Sequence, residues 1–88
     1  MLYYNITLPY NATLAILWIA MNKESIKLGE NLNKIRKAKG ISQGDIARTL
    51  GVSRGYISNI ENGKTNPTLS TIAKLAKALK VSTVELIK

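Results

Sequence analysis

The sequence of 88 residues contains no cysteine and no histidine. Without cysteine, neither a disulfide nor a thiolate metal site can form. Without histidine, a Ser-His-Asp triad and proton transfer through an imidazole are excluded. Acidic residues are also few, and they are scattered along the chain as Glu24, Glu30, Asp45, Glu61 and Glu85. The sequence therefore predicts no enzyme, no bound metal and no cofactor.

The charged residues are mostly of one sign. Thirteen lysines and arginines face five acidic residues, which gives a formal net charge of +8. Such a bias favours a polyanionic partner, either nucleic acid or an acidic membrane face. Surface lysines that only keep a small protein soluble would give a similar count, so charge alone does not decide. The length predicts a single domain.

Charge is absent from residues 1–22 and begins at Lys23, so the chain divides into an uncharged extension and a domain over residues 23–88. The apolar run from Leu14 to Met21 is far shorter than the roughly 20 residues that span a bilayer. Three interpretations stay open: pairing with a second copy of the chain, weak interfacial anchoring, or a working protein that begins at Met21. We favour the last, and we expect no membrane role because the segment has no basic face.

From Lys23 onward, the pattern predicts helices only. Apolar residues at helical spacing predict the inward faces of four helices, and they are Leu28, Leu32, Ile35, Ile46, Ala47, Leu50, Ile57, Ile60, Leu69, Ile72, Leu75, Ala76 and Leu79. A last short helix carries Val84, Leu86 and Ile87, of which the latter two are either core or a dimer seam. Ser42, Ser53, Thr68 and Ser82 are expected helix caps, and Asp45 and Glu85 would complete two capping boxes. These features predict an all-α fold, a compact five-helix bundle.

The second and third predicted helices are joined by a tight turn within residues 43–62. Ala47 is small where the two helices must cross, and Gly51 lies where the turn needs a positive φ. Ile57 and Ile60 bury the inner face of the third helix, which leaves its outer face in solvent. This arrangement matches the helix-turn-helix plan, in which the second helix of the pair enters the major groove of DNA.

The run ISQGDIARTLGVSRGYISNIENGKTNPTLSTIAKLAKAL carries this motif. Its matching positions are Ser42-Gln43, Ala47, Gly51-Val52-Ser53, Ile57-Ser58 and the stretch from Ile60 to Lys64. In their order and spacing, residues 24–88 resemble the Cro and phage-repressor type of helix-turn-helix domain, the XRE family. The resemblance implies a protein that binds the major groove of DNA as a symmetric homodimer, and members of the family are repressors or activators of transcription. We expect a cytoplasmic repressor. One copy makes too few contacts for tight binding, so we expect a near-palindromic operator.

The resemblance also implies roles for single residues. The base-reading positions are Ser53, Arg54, Gly55, Ser58 and Asn59. The positions that hold the DNA backbone are Gln43, Tyr56, Asn62, Lys64 and Thr65. Arginine suits guanine and asparagine suits adenine, so Arg54 and Asn59 are the expected readers of sequence. Arg36 and Glu61 match a family pair that joins the first and third helices, which predicts an ion pair.

Two glycines depart from the family pattern. Gly44 lies where a helix-favouring residue is usual, which costs about 1 kcal/mol of helix preference relative to alanine. Gly55 leaves the recognition helix without a side chain at a position that commonly touches bases. The main alternative function is an antitoxin-type DNA-binding protein whose principal role is to bind a partner protein. In that case the apolar N-terminal segment would meet the partner.

Overall fold

A computed structural model of the chain describes the backbone of residues 10–88 and the side chains of residues 14–17 and 23–88. Residues 1–9 of the uncharged extension lie outside the described residues. From residue 10 onward the chain forms five α-helices and no strand, which confirms the all-α prediction. The helices are α1 (Tyr10–Ala38), α2 (Gln43–Leu50), α3 (Arg54–Glu61), α4 (Leu69–Leu79) and α5 (Thr83–Ile87).

The first helix begins well before the point where charge begins. α1 starts at Tyr10 and passes Lys23 without a break, and its 29 residues make a rod about 44 Å long. The sequence has no proline or glycine between Pro9 and Gly29, and it is rich in residues that favour helix. The distribution of charged residues does not determine where a helix begins, so α1 continues through Lys23, where the charged residues begin. None of the helices described between residues 10 and 88 is long and apolar enough to cross a membrane.

The core lies between the second half of α1 and the other four helices. Its buried apolar side chains are Leu28, Leu32, Ile46, Ala47, Ile57, Ile60, Ile72, Leu75, Ala76, Leu79 and Leu86. Ile35 and Leu50 are only partly buried and pack against the edge of this cluster. The predicted inward faces of α2 and α3 are thereby confirmed.

The prediction that Leu69 faces inward is wrong. Leu69 is the first residue of α4, and it is 81% exposed. It lies beside an open groove that is also lined by Leu28, Ile72 and Ile87, and none of the described elements covers the groove. On α5, Val84 and Ile87 are likewise exposed, and only Leu86 enters the core.

The caps of α2 and α5 differ from each other. At α2 both bonds of the capping box are present, because Asp45 N donates to Ser42 Oγ at 3.0 Å and Ser42 N donates to Asp45 Oδ2 at 3.2 Å. The capping box predicted at Ser82 is wrong, since the Ser82 side chain makes no cap bond. The carboxylate of Glu85 instead accepts a bond from Lys88 Nζ at 3.2 Å.

Two glycines set the position of α3. Gly51 has φ 74° and ends α2 in the left-handed conformation, as the sequence predicts. Gly29 was not expected to matter, but a Cβ placed there would lie 2.4 Å from the carbonyl oxygen of Ile60 and 2.6 Å from that of Glu61. The close approach of α1 to the C-terminal end of α3 therefore requires a glycine at this position of α1.

Candidate nucleic-acid interface

The outer face of α3 is exposed because its inner face is fixed in the core. Ile57 and Ile60 are fully buried, and Ser53 caps the helix by accepting a 3.0 Å bond from Tyr56 N. Of the expected base-reading residues, four are exposed and one is half-buried. The exposed residues are Ser53, Arg54, Gly55 and Asn59, and the half-buried one is Ser58. The structure thus brings these five to the N-terminal turn of α3 and the turn that follows.

Gly55 lies in open space. A Cβ there would meet only Ser53 Oγ, at 3.9 Å, and its backbone does not adopt a positive φ. Neither packing nor conformation therefore requires a glycine at this position. In the middle of a helix glycine costs about 0.5–1 kcal/mol relative to alanine, and the cost is smaller at Gly55 because it is the second residue of α3.

The residues expected at the DNA backbone after α3 fall into two groups. Asn62 and Lys64 are exposed, and Asn62 Nδ2 donates to Ser58 Oγ at 3.4 Å. Thr65 differs, because its hydroxyl oxygen is buried and has no hydrogen-bond partner in the part of the chain that the structure describes. The expected contact of Thr65 with the DNA backbone stays a prediction. Tyr56 is half-buried and packs against the core.

Gln43, the first residue of α2, has a bond that the sequence did not reveal. Its side-chain Nε2 donates to Glu61 Oε1 at 3.0 Å. Its backbone N–H and that of Gly44 belong to the first turn of α2, where N–H groups have no acceptor within the helix. The N-terminus of a helix attracts anions through these groups and through the helix dipole. The anion-attracting end of α2 is therefore next to Glu61, the last residue of α3.

Glu61 is the centre of a network that joins three helices. Arg36 Nε lies 2.5 Å from Glu61 Oε2, and Arg36 Nη2 lies 3.1 Å from Oε1. Asn33 Nδ2 donates to Oε1 at 2.8 Å, and Arg36 Nη1 donates to the carbonyl of Ile41 at 2.8 Å. The side chains of Arg36 and Glu61 are only 10% and 4% exposed. The pair that the sequence predicted is present, and Asn33, Gln43 and Ile41 extend it.

The network sets the charge of its members. Burial raises the pKa of the Glu61 carboxyl, but the hydrogen bonds from Arg36, Asn33 and Gln43 and the charge of Arg36 outweigh burial and hold the pKa below its ordinary value. The hydrogen bond to Glu61 raises the pKa of Arg36, against the opposing effect of burial. Both groups are therefore ionised at neutral pH.

Sequence reasoning missed Asn33, although a signal for it exists. Asn33 precedes Arg36 by three residues on α1, and residues at this spacing share one face of a helix. A donor next to a buried Arg–Glu pair is also what an ionised carboxylate needs to satisfy its oxygens. The partner of Gln43 carried no such signal, because it depends on how α2 crosses the end of α3.

A shallow depression lies between the start of α2 and the start of α3. Its volume is about 470 Å³, and it is lined by Arg36, Ser42, Gln43, Gly44 and Arg54. Asp45 lies close to it on α2, but this carboxylate is hydrogen-bonded by Ser42 and paired with Arg48. The bonds from the Ser42 hydroxyl and backbone, in that order, are the main causes that hold the pKa of Asp45 below its ordinary value. Among the residues that the structure describes, Arg54 has no acidic partner, and it supplies the positive charge at the depression.

The chain is similar to known regulators over most of its length. The family model described as Helix-turn-helix, HTH_3, matches residues 32–86. An uncharacterized HTH-type transcriptional regulator, y4dJ, of Sinorhizobium fredii is 42% identical over 60 residues, which are 68% of this chain and 78% of that protein. The control protein C.MunI of a Mycoplasma species is 39% identical over 67 residues, 75% of this chain and 90% of that one.

A solved structure shows the same fold. The crystal structure of the restriction-modification controller protein C.AhdI from Aeromonas hydrophila is similar with a TM-score of 0.69 and 39% identity, over 73% of this chain and 97% of that one. Other curated relatives are longer, and the chain spans less than two thirds of several of them.

Proposed function

Since the chain belongs to the HTH_3 helix-turn-helix family, we propose that it is a sequence-specific DNA-binding regulator of transcription. Its action is that of a cytoplasmic repressor on a near-palindromic operator. The observation that carries this proposal is the exposed outer face of α3, capped by Ser53 and fixed by Ile57 and Ile60, beside the anion-attracting start of α2. A helix presented in this way is the element that enters the major groove in this class of proteins.

In the proposed complex the two helices have different tasks. Arg54 and Asn59 of α3 read base edges, where an arginine pairs with guanine and an asparagine with adenine. Ser53, Gly55 and Ser58 belong to the same base-reading set, and the missing side chain at Gly55 lets the helix backbone approach the bases. The phosphates are held by Gln43, Tyr56, Asn62, Lys64 and Thr65. These contacts fix the register and carry no sequence information by themselves.

The proposal includes a homodimer, because one small domain offers less surface than specific sites usually bury. The second copy would pack on the groove of Leu69, Ile72 and Ile87, where the exposed side chains of Leu69 and Ile87 flank the buried Ile72. Glu24 of α1 also lines this groove, whereas Arg36 lines the depression between the start of α2 and the start of α3. These two positions are about 18 Å apart along α1, so a dimer formed at the groove leaves α2 and α3 free for DNA.

The test is selection of bound sequences by the full chain from a random pool of double-stranded DNA. We expect a consensus with two-fold symmetry and half-sites whose centres are about 34–36 Å apart. An asymmetric consensus would contradict the homodimer, but it would still support a sequence-specific regulator. Recovery of no enriched sequence, with binding that depends only on salt, would contradict sequence-specific regulation.

One observation favours the antitoxin-type alternative. The apolar residues Leu14, Ile16 and Leu17 of α1 are exposed, and a helix with apolar residues on all sides is normally covered by a partner. If a partner protein is the main ligand, the chain purified from its own cells carries a second protein in equal amount. Substituting lysine for Leu14 and Leu17 would then release that protein while leaving DNA binding intact.

A further inference from the structure

One oxygen of Glu61 has more donors than it needs. Oε1 accepts bonds from Asn33 Nδ2 at 2.8 Å, Gln43 Nε2 at 3.0 Å and Arg36 Nη2 at 3.1 Å. A carboxylate oxygen offers about two lone-pair directions. Two donors therefore satisfy this atom, and the third bond can be given up at low cost.

The three donors are not equally free to leave. Arg36 is held by two further bonds, to Glu61 Oε2 and to the carbonyl of Ile41. Asn33 lies within the last two turns of α1 and makes the shortest of the three bonds to Oε1. Gln43 is half-buried at the first residue of α2 and lines the open depression that Arg54 shares. The donor that can leave is Gln43, and it faces the place where a phosphate would arrive.

We propose that Glu61 holds the Gln43 amide in the DNA-free protein, and that DNA binding transfers this amide from Glu61 to a phosphate. Asn33 is then a positioning residue, because its bond keeps Glu61 Oε1 satisfied after Gln43 has left. The inference rests on the proposed function for its second half. Its first half, competition between Asn33 and Gln43 for one oxygen, concerns the free protein alone.

The competition predicts that Asn33 and Gln43 are coupled in DNA binding, although only Gln43 contacts DNA in the proposed complex. Without Asn33, only Gln43 and Arg36 donate to Glu61 Oε1. The bond from Gln43 to this oxygen is then harder to break. The release of Gln43 on DNA binding then costs more free energy. Loss of Asn33 should therefore weaken DNA binding only while Gln43 is present.

The experiment is a double-mutant cycle on the full chain, with the dissociation constant for the selected operator as readout. Gln43→Ala removes a phosphate contact and is expected to weaken binding about tenfold or more. Asn33→Ala is expected to weaken binding about three- to tenfold by the competition. In the Gln43→Ala background, Asn33→Ala should cause no further loss. Equal loss in both backgrounds, or no loss in either, would overturn the proposal.

Asn31→Ala is the matched control. Asn31 lies on α1 two residues from Asn33 and also donates one side-chain bond, to the carbonyl of Leu86 at 2.8 Å. Its removal costs a similar hydrogen bond outside the Glu61 network. We expect the effect of Asn31→Ala on operator binding to be the same with and without Gln43. A coupling of Asn31 to Gln43 as large as that of Asn33 would mean that general loosening of α1 is responsible, which would contradict the proposal.

A second readout needs no DNA. Hydrogen exchange of the Gln43 side-chain amide, followed by NMR in the free protein, should be slower in Asn33→Ala than in the unsubstituted chain. Unchanged or faster exchange would refute the competition. If the chain binds no DNA, the proposed function fails, while this exchange measurement still decides whether Asn33 and Gln43 compete for Glu61.

Discussion

Arg36 and Glu61 are joined through two pairs of atoms, Nε to Oε2 at 2.5 Å and Nη2 to Oε1 at 3.1 Å. The pair connects the last part of α1 to the end of α3, next to the point where Gly29 allows the two helices to approach. A buried ion pair contributes little net stability, because desolvation offsets most of the attraction. Its value here is in position, since it fixes the end of the helix whose outer face is proposed to read DNA.

Removal of one partner should be costly. Arg36→Leu leaves Glu61 with a buried charge, and we expect the free energy of unfolding to fall by about 3–5 kcal/mol. In the double variant Arg36→Leu/Glu61→Leu no charge stays buried, so most of the loss should be recovered. Urea denaturation followed by circular dichroism measures both. A single variant that loses less than about 1 kcal/mol would show that Glu61 finds water or another partner.

The pH dependence of stability follows from the same carboxylate. The pKa of Glu61 is lower in the folded chain than its ordinary value of 4.5. A lowered folded pKa gives stability that is fully present above the ordinary value and is lost as pH falls through the folded pKa. Asp45, whose pKa is also lowered, adds to the loss in the same direction. We therefore expect acid to destabilise the chain below about pH 4.5.

Glu61→Gln separates the two carboxylates. The variant should be less stable at neutral pH, and its stability should fall less steeply in acid than that of the unsubstituted chain. Urea midpoints measured from pH 7 to pH 2 provide the comparison. An acid slope that is identical in the two chains would mean that Glu61 has the same pKa folded and unfolded.

Features that depend on neighbours in sequence were predictable. The caps of α2 and α3 and the left-handed turn at Gly51 rest on residues within four positions of each other. The inward faces of α2 and α3 follow from helical spacing, which also predicts that the opposite face of α3 is exposed. The face of the proposed interface was therefore accessible from the sequence, although the contacts its residues make with DNA stay predictions.

Features that depend on distant neighbours were not predictable. Leu69 continues the apolar spacing of α4 but extends past the end of the core, and spacing cannot show where the other elements stop. Glycine in a helix indicates only that something is unusual, and the cause at Gly29 is the backbone of α3. The bond between Gln43 and Glu61 depends on the crossing of α2 with α3, since 18 residues separate the two in sequence.

Substitution at the groove tests the dimer. Leu69→Lys changes a residue that is already 81% exposed, so the fold of one copy should be unaffected. If a second copy covers the groove, burying this charge should weaken self-association at least tenfold, as seen by sedimentation equilibrium. Ser70→Lys, at the next exposed position of α4, is the control and should change association little. Equal association by all three chains would place the dimer surface elsewhere.

The division between reading and holding DNA is tested with two cationic residues. Arg54→Ala should lower the preference for the selected site over random DNA by about 1–3 kcal/mol, because a bidentate base contact is lost. Lys64→Ala should weaken binding to both DNAs about equally and reduce the salt slope by about one. Lys74→Ala, an exposed lysine on α4, controls for net charge. An unchanged preference in Arg54→Ala would remove that residue from the readers.

Alanine at two glycines should have opposite effects on stability. At Gly55, the second residue of α3, the new methyl group meets only Ser53 Oγ at 3.9 Å, so Gly55→Ala should raise the free energy of unfolding by up to about 0.5 kcal/mol. At Gly29 it would lie 2.4 Å from the carbonyl of Ile60, so Gly29→Ala should destabilise the chain by about 1–3 kcal/mol. Equal effects of the two substitutions would contradict the finding that a methyl group has room at Gly55 and none at Gly29.

Operator binding by Gly55→Ala then shows what the glycine is for. Folding does not require a glycine at this position, and we predict that its use lies in the complex with DNA. If the backbone of α3 approaches the DNA closely at this point, the variant should be more stable and yet bind its operator at least tenfold more weakly. The affinity for random DNA should change less, because only the specific complex requires the closest approach. A more stable variant with unchanged operator affinity would show that the helix backbone keeps its distance at Gly55 and that base reading is left to Arg54 and Asn59.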